Sequence, residues 1–300
     1  MINDFKIKKL LIIGLGLMGG SLARAAKERG FANHISAYGH RDLSLKKGLK
    51  LGIIDSYSTE LAVALDGVDV VLIATPTLVA NAMLEQILLL TDESVVITDA
   101  ASVKGSFVAA GRACAGLGGK LPGNVVPGHP IAGSERSGVA AADGELFANH
   151  RVILTPVTET NIEATRLVTA MWEAAGAEVV TMGVEEHDAI LSATSHLPHM
   201  LAYALVDALA GREASLDIFK YAAGGFRDFT RIASSDPVMW RDIALANRDQ
   251  LLVSIDQFDE YLTLLRNAIE RSDGEMLEEI FVRAKQSRDV FSGQLLKRDS

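Results

Sequence analysis

A short glycine motif near the N-terminus constrains the fold more strongly than any other feature of this sequence. It follows an apolar run at residues 8–13, precedes a helical pattern at residues 18–30, and consists of Gly14, Leu15, Gly16, Leu17, Met18 and Gly19. The first glycine permits a tight turn, the second lets the backbone approach a pyrophosphate, and the third allows a helix to pack closely on a strand. The start of a helix also offers free N–H groups to phosphate. The motif in this setting predicts dinucleotide binding, and a glycine turn that binds nothing is the alternative.

Further apolar runs follow along the first half of the chain, and helical patterns separate them. We predict strands at residues 34–38, 68–74, 94–98, 152–154 and 179–180, and a helix at residues 159–175. Strands that alternate with helices are typical of an α/β fold with a parallel, doubly wound sheet of the Rossmann type. The pattern ends near Gly183, so we predict an NAD(P)-binding domain at residues 1–183.

The second half of the chain shows helical periodicity only. Apolar side chains recur at intervals of three or four residues, as at Ile255, Phe258, Leu262, Leu265 and Ile269. Asp236-Pro237 is typical of a helix start, with the aspartate as cap and the proline in the first turn. Because the apolar stripes exceed what one small bundle can bury, we expect residues 184–300 to form an all-helical substrate and dimerisation domain of a homodimer.

Bulk composition excludes several classes of partner. The formal net charge is −9, and an acidic chain repels phosphate backbones, so we expect no nucleic acid partner. The only cysteine, Cys114, suits a reducing compartment and is expected to be a buried, inert thiol. Lys6, Lys8 and Lys9 before an apolar run resemble a signal peptide, but that run contains the glycines of the fold motif. Since no apolar segment reaches the ~18 residues of a membrane span, we expect a cytoplasmic protein without a membrane partner.

The residues after the second predicted strand bear on the choice between NAD and NADP. A carboxylate at the end of this strand would bind the ribose hydroxyls of NAD, whereas a cation would favour the 2′-phosphate of NADP. Arg41 stands at this position, and Asp42 follows it directly. We therefore predict that Arg41 binds the cofactor and that NADP is preferred. A shift of one residue would bring Asp42 into place and restore NAD, and a solvated surface arginine is the other alternative.

Two segments that follow predicted strands are candidates for the chemistry. The segment from Gly128 to Gly138 is rich in turn formers, which predicts a loop that holds His129. The segment from Asp99 to Gly105 holds Ser102. Loops at the C-terminal ends of parallel strands carry the chemistry in such sheets, so both side chains are expected near the nicotinamide. From its residues alone, His129 could equally be a turn histidine with a backbone partner.

These motifs together resemble those of the prephenate and arogenate dehydrogenase family. Seven segments match in family order over essentially the whole chain: Gly14–Gly19, Ala74–Pro76, Ser102–Gly105, Gly128–Gly138, Ser195–His199, Gly224–Ala233 and Asp236–Asp242. The resemblance implies an oxidative decarboxylation with NAD(P)+ in tyrosine biosynthesis. The implied substrate is a cyclohexadienol with a ring carboxylate, and the product is 4-hydroxyphenylpyruvate from prephenate or tyrosine from arogenate.

The resemblance also implies roles for individual side chains. His129 matches the catalytic histidine, which accepts the proton of the substrate hydroxyl, and Ser102 matches a serine that hydrogen-bonds near this hydroxyl. Arg231 matches an arginine that binds the substrate carboxylate, and His199 matches a second histidine that faces the substrate. The remaining expected site residues are Glu135 and Asp228 near the substrate and Thr75 and Pro76 at the cofactor.

Other interpretations of these side chains stay open at this stage. Arg231 could pair with Asp228, which lies three residues earlier on a predicted helix. His196 and His199 could bind a metal, but Pro198 interrupts their helix and no cysteine or carboxylate cluster completes a site. We therefore expect no metal.

Two other functions are alternatives to a prephenate or arogenate dehydrogenase activity. A β-hydroxyacid dehydrogenase shares the two-part architecture but uses a helical lysine, and this chain has no lysine between Lys120 and Lys220. A catalytically silent NAD(P)-sensing module would bind the cofactor without turnover. It gives no reason for His129, His199 and Arg231 to occur together.

Overall fold

The structure is a computed structural model that describes residues 5–114, 118–133, 136–211 and 219–296. The chain forms two compact units, Met1–Gln250 and Leu251–Ser300, and each is described by itself. The boundary predicted between residues 183 and 184 falls within the first unit and stays a prediction.

Six parallel strands form the central sheet of the first unit in the order β3-β2-β1-β4-β5-β6. The strands are β1 (Ile7–Ile13), β2 (Ala32–Tyr38), β3 (Ser56–Ser58), β4 (Val70–Ile73), β5 (Val96–Asp99) and β6 (Val125–Val126). The strand order reverses between β1 and β4, and ligands bind outside the carboxyl ends of strands at such a point. The predicted parallel, doubly wound sheet is therefore confirmed.

Helices cover both faces of this sheet. They are α1 (Leu17–Arg29), α2 (Asp42–Lys50), α3 (Leu61–Leu65), α4 (Thr77–Leu88) and α5 (Gly105–Ala113). Successive side chains of β1 point to opposite faces, so Leu10 and Ile12 join one apolar cluster while Leu11 and Ile13 join the other. Burial on both faces explains why this strand is a continuous apolar run rather than an alternating one.

A second, three-stranded sheet corrects two sequence predictions. It consists of β7 (Gly128–Ile131), β8 (Arg151–Leu154) and β9 (Glu178–Thr181), with α6 (Ile162–Ala174) between β8 and β9. The strands predicted at residues 152–154 and 179–180 therefore lie outside the central sheet, and β7 runs antiparallel to β8. The predicted loop at Gly128–Gly138 is also wrong in its first four residues. Its glycine and proline are turn formers and therefore predicted a loop. The segment can still form a strand because β7 lies at the edge of its sheet, where a proline, which lacks an N–H, is tolerated.

Helices alone follow in the described part of residues 184–250. They are α7 (Val184–Leu191), a π-helical turn (Ser192–His196), α8 (Leu197–Ala210), α9 (Gly224–Thr230), a 3-10 turn (Arg231–Ser234) and α10 (Pro237–Ala246). The predicted helix start at Asp236 is confirmed, because its carboxylate accepts a hydrogen bond from the Met239 N–H at 2.8 Å. This cap fixes the beginning of the helix that carries Trp240.

The second unit consists of most of α11 (Arg248–Glu270) and of α12 (Gly274–Leu296). Between α11 and α12, Ser272 has a φ angle of 55°, which is incompatible with a continuous helix. Large apolar side chains remain exposed on both helices of the single chain, among them Phe258, Tyr261, Phe281 and Phe291. Among the described residues, no helix combines the length and the apolar character needed to cross a membrane.

Candidate active site

A cleft of about 500 Å³ opens at the carboxyl ends of β1, β2 and β4. Six of the predicted cofactor residues line it: Gly14, Leu15, Gly16, Arg41, Thr75 and Pro76. The other three, Leu17, Met18 and Gly19, begin α1 beside the cleft. The structure therefore brings the predicted cofactor residues together at one edge of the sheet.

The glycines of this motif fit a bound pyrophosphate. Gly14 has a φ angle of +91°, and a Cβ there would lie 2.8 Å from the Ala74 carbonyl oxygen. A Cβ at Gly16 would meet nothing within 4 Å, so this glycine leaves open space over the backbone. The first turn of α1 contains no acidic side chain and no side-chain cap, which leaves the helix N-terminus suited to an anion. Thr75 lines the cleft, and its buried hydroxyl oxygen has no hydrogen-bond partner among the described residues.

Arg41 and Asp42 differ in what they face. Arg41 is exposed and lines the cleft with His40 and Ser44, whereas Asp42 is not among the lining residues. The Asp42 carboxylate lies 2.5 Å from the Lys46 ammonium. Hydrogen bonds from Lys46 and Tyr57 lower the pKa of Asp42, so its carboxylate is already occupied.

A buried ion pair joins the end of β5 to β7. The side chains of Asp99 and Lys104 are both fully buried and in contact. The Lys104 ammonium also donates to the Gly128 carbonyl at 2.6 Å, and Asp99 accepts from the Gly128 N–H at 3.0 Å. Burial raises the pKa of Asp99 and lowers the pKa of Lys104, while their mutual attraction opposes both shifts. The pair thus holds both backbone polar groups of the residue that precedes His129.

His129 is half-buried and belongs to a chain of hydrogen bonds. Its Nδ1 lies 2.9 Å from Nε2 of His187, and Nδ1 of His187 lies 2.8 Å from a carboxylate oxygen of Asp188. Burial lowers the pKa of His129 well below its ordinary value, and the nearby charge of Lys104 acts in the same direction. His129 is therefore a neutral imidazole, which is the form that accepts a proton.

Asp188 and Asn247 tie this chain to the neighbouring helices. The Asp188 carboxylate accepts from the N–H groups of Lys104 at 2.9 Å and Gly105 at 2.7 Å, at the start of α5. The Asn247 amide donates to the Asp188 carbonyl at 2.9 Å and lies 3.1 Å from Nδ1 of His196. Burial lowers the pKa of His196 to about 4, so this histidine is also neutral.

His199 lies on α8 one turn beyond the π-helical turn. It stacks on Trp240, with ring centroids 3.6 Å apart and planes inclined by 19°. Its Nδ1 lies 2.9 Å from the Ser195 carbonyl, and because a carbonyl only accepts, Nδ1 carries the proton and Nε2 remains an acceptor. Burial and the charge of Arg231 both lower the pKa of His199, which places Arg231 in its electrostatic neighbourhood.

The remaining predicted residues take different positions. Ser102 is half-buried in the segment between β5 and α5, next to Val103, which packs against Trp240. Arg231 is exposed at the start of the 3-10 turn. Asp228 is exposed on α9, and its carboxylate pairs with Arg227 at 3.2 Å. Glu135 lies outside the described residues.

Five residues of this cluster had no predicted role: Asp99, Lys104, His187, Asp188 and Asn247. The position of Asp99 at the end of a strand and of Lys104 in the following segment was a signal for the site. No comparable signal marked the His187–Asp188 pair, because its partner His129 lies 58 residues away in sequence. Among the described residues, no group of three His, Cys, Asp or Glu side chains is arranged to hold a metal ion.

Two family profiles match consecutive parts of the chain. The profile described as prephenate dehydrogenase, nucleotide-binding domain, matches residues 22–181. The profile described as prephenate dehydrogenase, dimerization domain, matches residues 183–283.

Individual relatives agree with these matches. The cyclohexadienyl dehydrogenase of Zymomonas mobilis is 37% identical over 94% of this chain and 95% of its own length. The structure of prephenate dehydrogenase from A. aeolicus with hydroxyphenyl propionate and NAD+ is similar with a TM-score of 0.87, at 36% identity over 96% of this chain and 99% of that one. The Synechocystis arogenate dehydrogenase structure gives a TM-score of 0.78 at 26% identity, over 94% and 99% of the two chains.

Gly16→Ala and Gly19→Ala distinguish a glycine that leaves room for the cofactor from a glycine that is needed for close packing of the helix. We expect Gly16→Ala to weaken NAD(P) binding, because the methyl group enters space that a pyrophosphate needs, and to change the free energy of unfolding by at most about 0.5 kcal/mol. A Cβ at position 19 would meet the Gly14 carbonyl and Ile12, so Gly19→Ala should lower the free energy of unfolding by about 1–3 kcal/mol. Chemical denaturation and calorimetric titration with each cofactor measure the two effects. Unchanged cofactor affinity in Gly16→Ala would contradict the proposed binding mode.

Proposed function

The chain belongs to the prephenate dehydrogenase family, and we propose that it oxidises and decarboxylates a cyclohexadienyl acid with His129 as its general base. It is a nicotinamide-dependent dehydrogenase of tyrosine biosynthesis. The observation that carries the proposal for His129 is the hydrogen bond between its imidazole and His187, directly after Gly128, whose carbonyl accepts from Lys104. Burial lowers the pKa of His129 and so favours the neutral imidazole. The substrates to be tested are prephenate and arogenate.

The reaction requires a base that takes up a proton and then returns it. The C4–H bond of the substrate breaks with its electron pair, and NAD(P)+ bound in the cleft supplies the acceptor for this hydride. As C4–O becomes carbonyl-like, His129 accepts the hydroxyl proton, a role that contributes roughly 10²–10⁴-fold to the rate. The bond from the ring to its carboxylate then breaks, CO2 leaves, and the electron pair makes the ring aromatic. The phenolic oxygen takes the proton back, so His129 ends the cycle neutral.

Substrate binding is assigned to side chains on the helices after residue 183. Arg231 is proposed to bind a substrate carboxylate, because a guanidinium offers two parallel N–H donors to it. His199 is proposed to face the same substrate with its unprotonated Nε2. Ser102, which lies between β5 and α5, is proposed to hydrogen-bond the 4-hydroxyl of the substrate. Asp228 and Glu135 remain proposed substrate-binding residues.

NADP is the cofactor that we favour. Arg41 lines the cleft with His40 and Ser44, which together offer a cation and polar donors to a 2′-phosphate. The carboxylate that NAD would need is engaged elsewhere, since Asp42 pairs with Lys46 at 2.5 Å. This arrangement supports the preference inferred from the sequence.

A cytoplasmic homodimer is the form in which we expect the enzyme to work. The family profile that matches residues 183–283 is described as a dimerization domain. Large apolar side chains that the single chain leaves exposed, such as Phe258, Tyr261 and Phe281, supply apolar surface for such a contact. The single, buried Cys114 is compatible with the reducing cytoplasm.

His129→Asn tests the general base. We expect kcat with prephenate or arogenate, measured by the absorbance of the reduced cofactor, to fall by roughly 10²–10⁴-fold. The affinity for the cofactor should be retained. In the unsubstituted enzyme, kcat/KM should fall only below pH 6.5, because burial lowers the pKa of His129 and acid removes the neutral form. An acid limb centred above pH 6.5, or near-normal turnover of the variant, would remove His129 from this role.

Arg231→Ala tests the carboxylate contact. We expect KM for the acid substrate to rise roughly 10–100-fold with little change in kcat, since a hydrogen bond to a charged group contributes about 1.5–3 kcal/mol. Arg248→Ala, at another exposed arginine, is the matched control and should leave both constants unchanged. A fall in kcat alone would show that Arg231 does something other than bind the carboxylate.

Arg41→Asp tests the choice of cofactor. We expect the ratio of kcat/KM for NADP+ to that for NAD+ to fall about tenfold or more, because the variant replaces a phosphate-binding cation with a carboxylate. Lys47→Asp makes the same charge change on α2 at a residue that does not line the cleft, and it should leave the ratio unchanged. An equal response of the two variants would mean that Arg41 acts only through the general electrostatic field.

A further inference from the structure

We propose that His187 and Asp188 form a relay behind His129 that selects the tautomer of the catalytic base, so that Nε2 of His129 is left as the proton acceptor. The relay rests on the proposed function for its catalytic meaning. Its hydrogen bonds, however, can be tested without turnover.

Three side chains form the relay in a continuous line. His129 Nδ1 lies 2.9 Å from His187 Nε2, and His187 Nδ1 lies 2.8 Å from the Asp188 carboxylate. The two imidazole rings meet edge to face, with centroids 5.1 Å apart. His187 is fully buried, so water does not compete for either of its nitrogens.

The direction of each hydrogen bond follows from the end of the line. Burial tends to raise the pKa of Asp188, but hydrogen bonds from His187, Lys104 and Gly105 lower it on balance, so the carboxylate is ionised and only accepts. His187 must therefore carry its proton on Nδ1, which leaves Nε2 as an acceptor. His129 then donates its Nδ1–H to His187, and its own Nε2 is unprotonated.

The position of the carboxylate is fixed independently of the histidines. It accepts two N–H groups at the start of α5, from Lys104 and Gly105. A Cβ at Gly105 would lie 2.8 Å from the carboxylate, so glycine permits the close approach. The Asn247 amide holds the backbone of Asp188 through its carbonyl oxygen. These contacts give the relay a rigid end, as positioning of a catalytic group requires.

The relay also offsets the charge that His129 gains when it takes up a proton. The charged and titratable groups around it are Asp99, Lys104, His187, Asp188 and His196. Lys104 and the other histidines disfavour an imidazolium at position 129. The carboxylates of Asp99 and Asp188 carry two negative charges and Lys104 carries one positive charge. A protonated His129 therefore cancels the remaining negative charge of the buried cluster. Asp188 thus supplies, through His187, the negative charge that the protonated base needs.

Two substitutions at His187 distinguish tautomer selection from simple packing. His187→Leu fills the site with an apolar side chain but offers His129 no acceptor. His187→Gln offers a carbonyl oxygen that can accept the Nδ1–H of His129. We expect kcat of His187→Leu to be about 100-fold or more below that of the unsubstituted enzyme, and kcat of His187→Gln to be at least about tenfold above that of His187→Leu. KM for the acid substrate and for the cofactor should stay within about threefold of the unsubstituted values. His150→Leu, at an exposed histidine outside the relay, is the matched control and should leave kcat unchanged.

The tautomers themselves are observed by 15N NMR of the imidazole groups in the full-length protein without substrate. We expect His129 and His187 both to be protonated at Nδ1, and the preference at His129 to be lost in His187→Leu. This measurement on the unsubstituted protein also decides the matter if His187→Leu does not fold.

Each outcome separates the relay from the proposed function. If the unsubstituted enzyme oxidises prephenate or arogenate while His187→Leu keeps normal kcat, the function stands and the relay is wrong. Equal losses in His187→Leu and His187→Gln would reduce His187 to a packing residue and overturn tautomer selection. If neither acid is turned over, the proposed function fails, and the protonation of His129 at Nδ1 or at Nε2 then supports or overturns the relay by itself.

Discussion

The buried ion pair between Asp99 and Lys104 is the contact on which the proposed catalytic arrangement depends. It joins the end of a central strand to the edge strand that carries His129, through both backbone groups of Gly128. Isolated buried charges are costly, and removal of one partner of such a pair typically costs about 3–5 kcal/mol. The pair therefore contributes less to net stability than to holding Gly128 of β7 against the end of β5.

The same few residues connect the sheet to the helices. The backbone of Lys104 and Gly105 is held by Asp188 on α7, and Val103 packs against Trp240 on α10. One short segment after β5 thus contacts the ion pair, the histidine relay and the aromatic stack. The side chains proposed to bind and activate the substrate are consequently positioned by buried neighbours, although Arg231 itself is exposed.

The cofactor cleft and the proposed substrate site differ in how the chain forms them. The cofactor cleft is local, since one strand, one glycine turn and one helix start supply most of its character. The proposed substrate site is assembled from segments that lie far apart in the chain, and its central groups are imidazoles that burial keeps neutral. Burial lowers the pKa of His129, His187 and His196 alike, so these three imidazoles are proton acceptors rather than cations.

The sequence by itself determined the local features. Apolar periodicity and the glycine spacing predicted the Rossmann sheet and the cofactor edge, and the Asp-Pro pair predicted the cap at Asp236, because each feature depends on neighbouring residues. The sequence pattern placed β8 and β9 in the wrong sheet. It did not predict β7, which contains a glycine and a proline, because pairing with a distant strand decides whether such a segment is extended. Only the tertiary structure brought His129 to His187 and Asp188, and Asp99 to Gly128. Those hydrogen bonds join residues up to 58 positions apart, and burial, which no local pattern specifies, is what makes the histidines neutral.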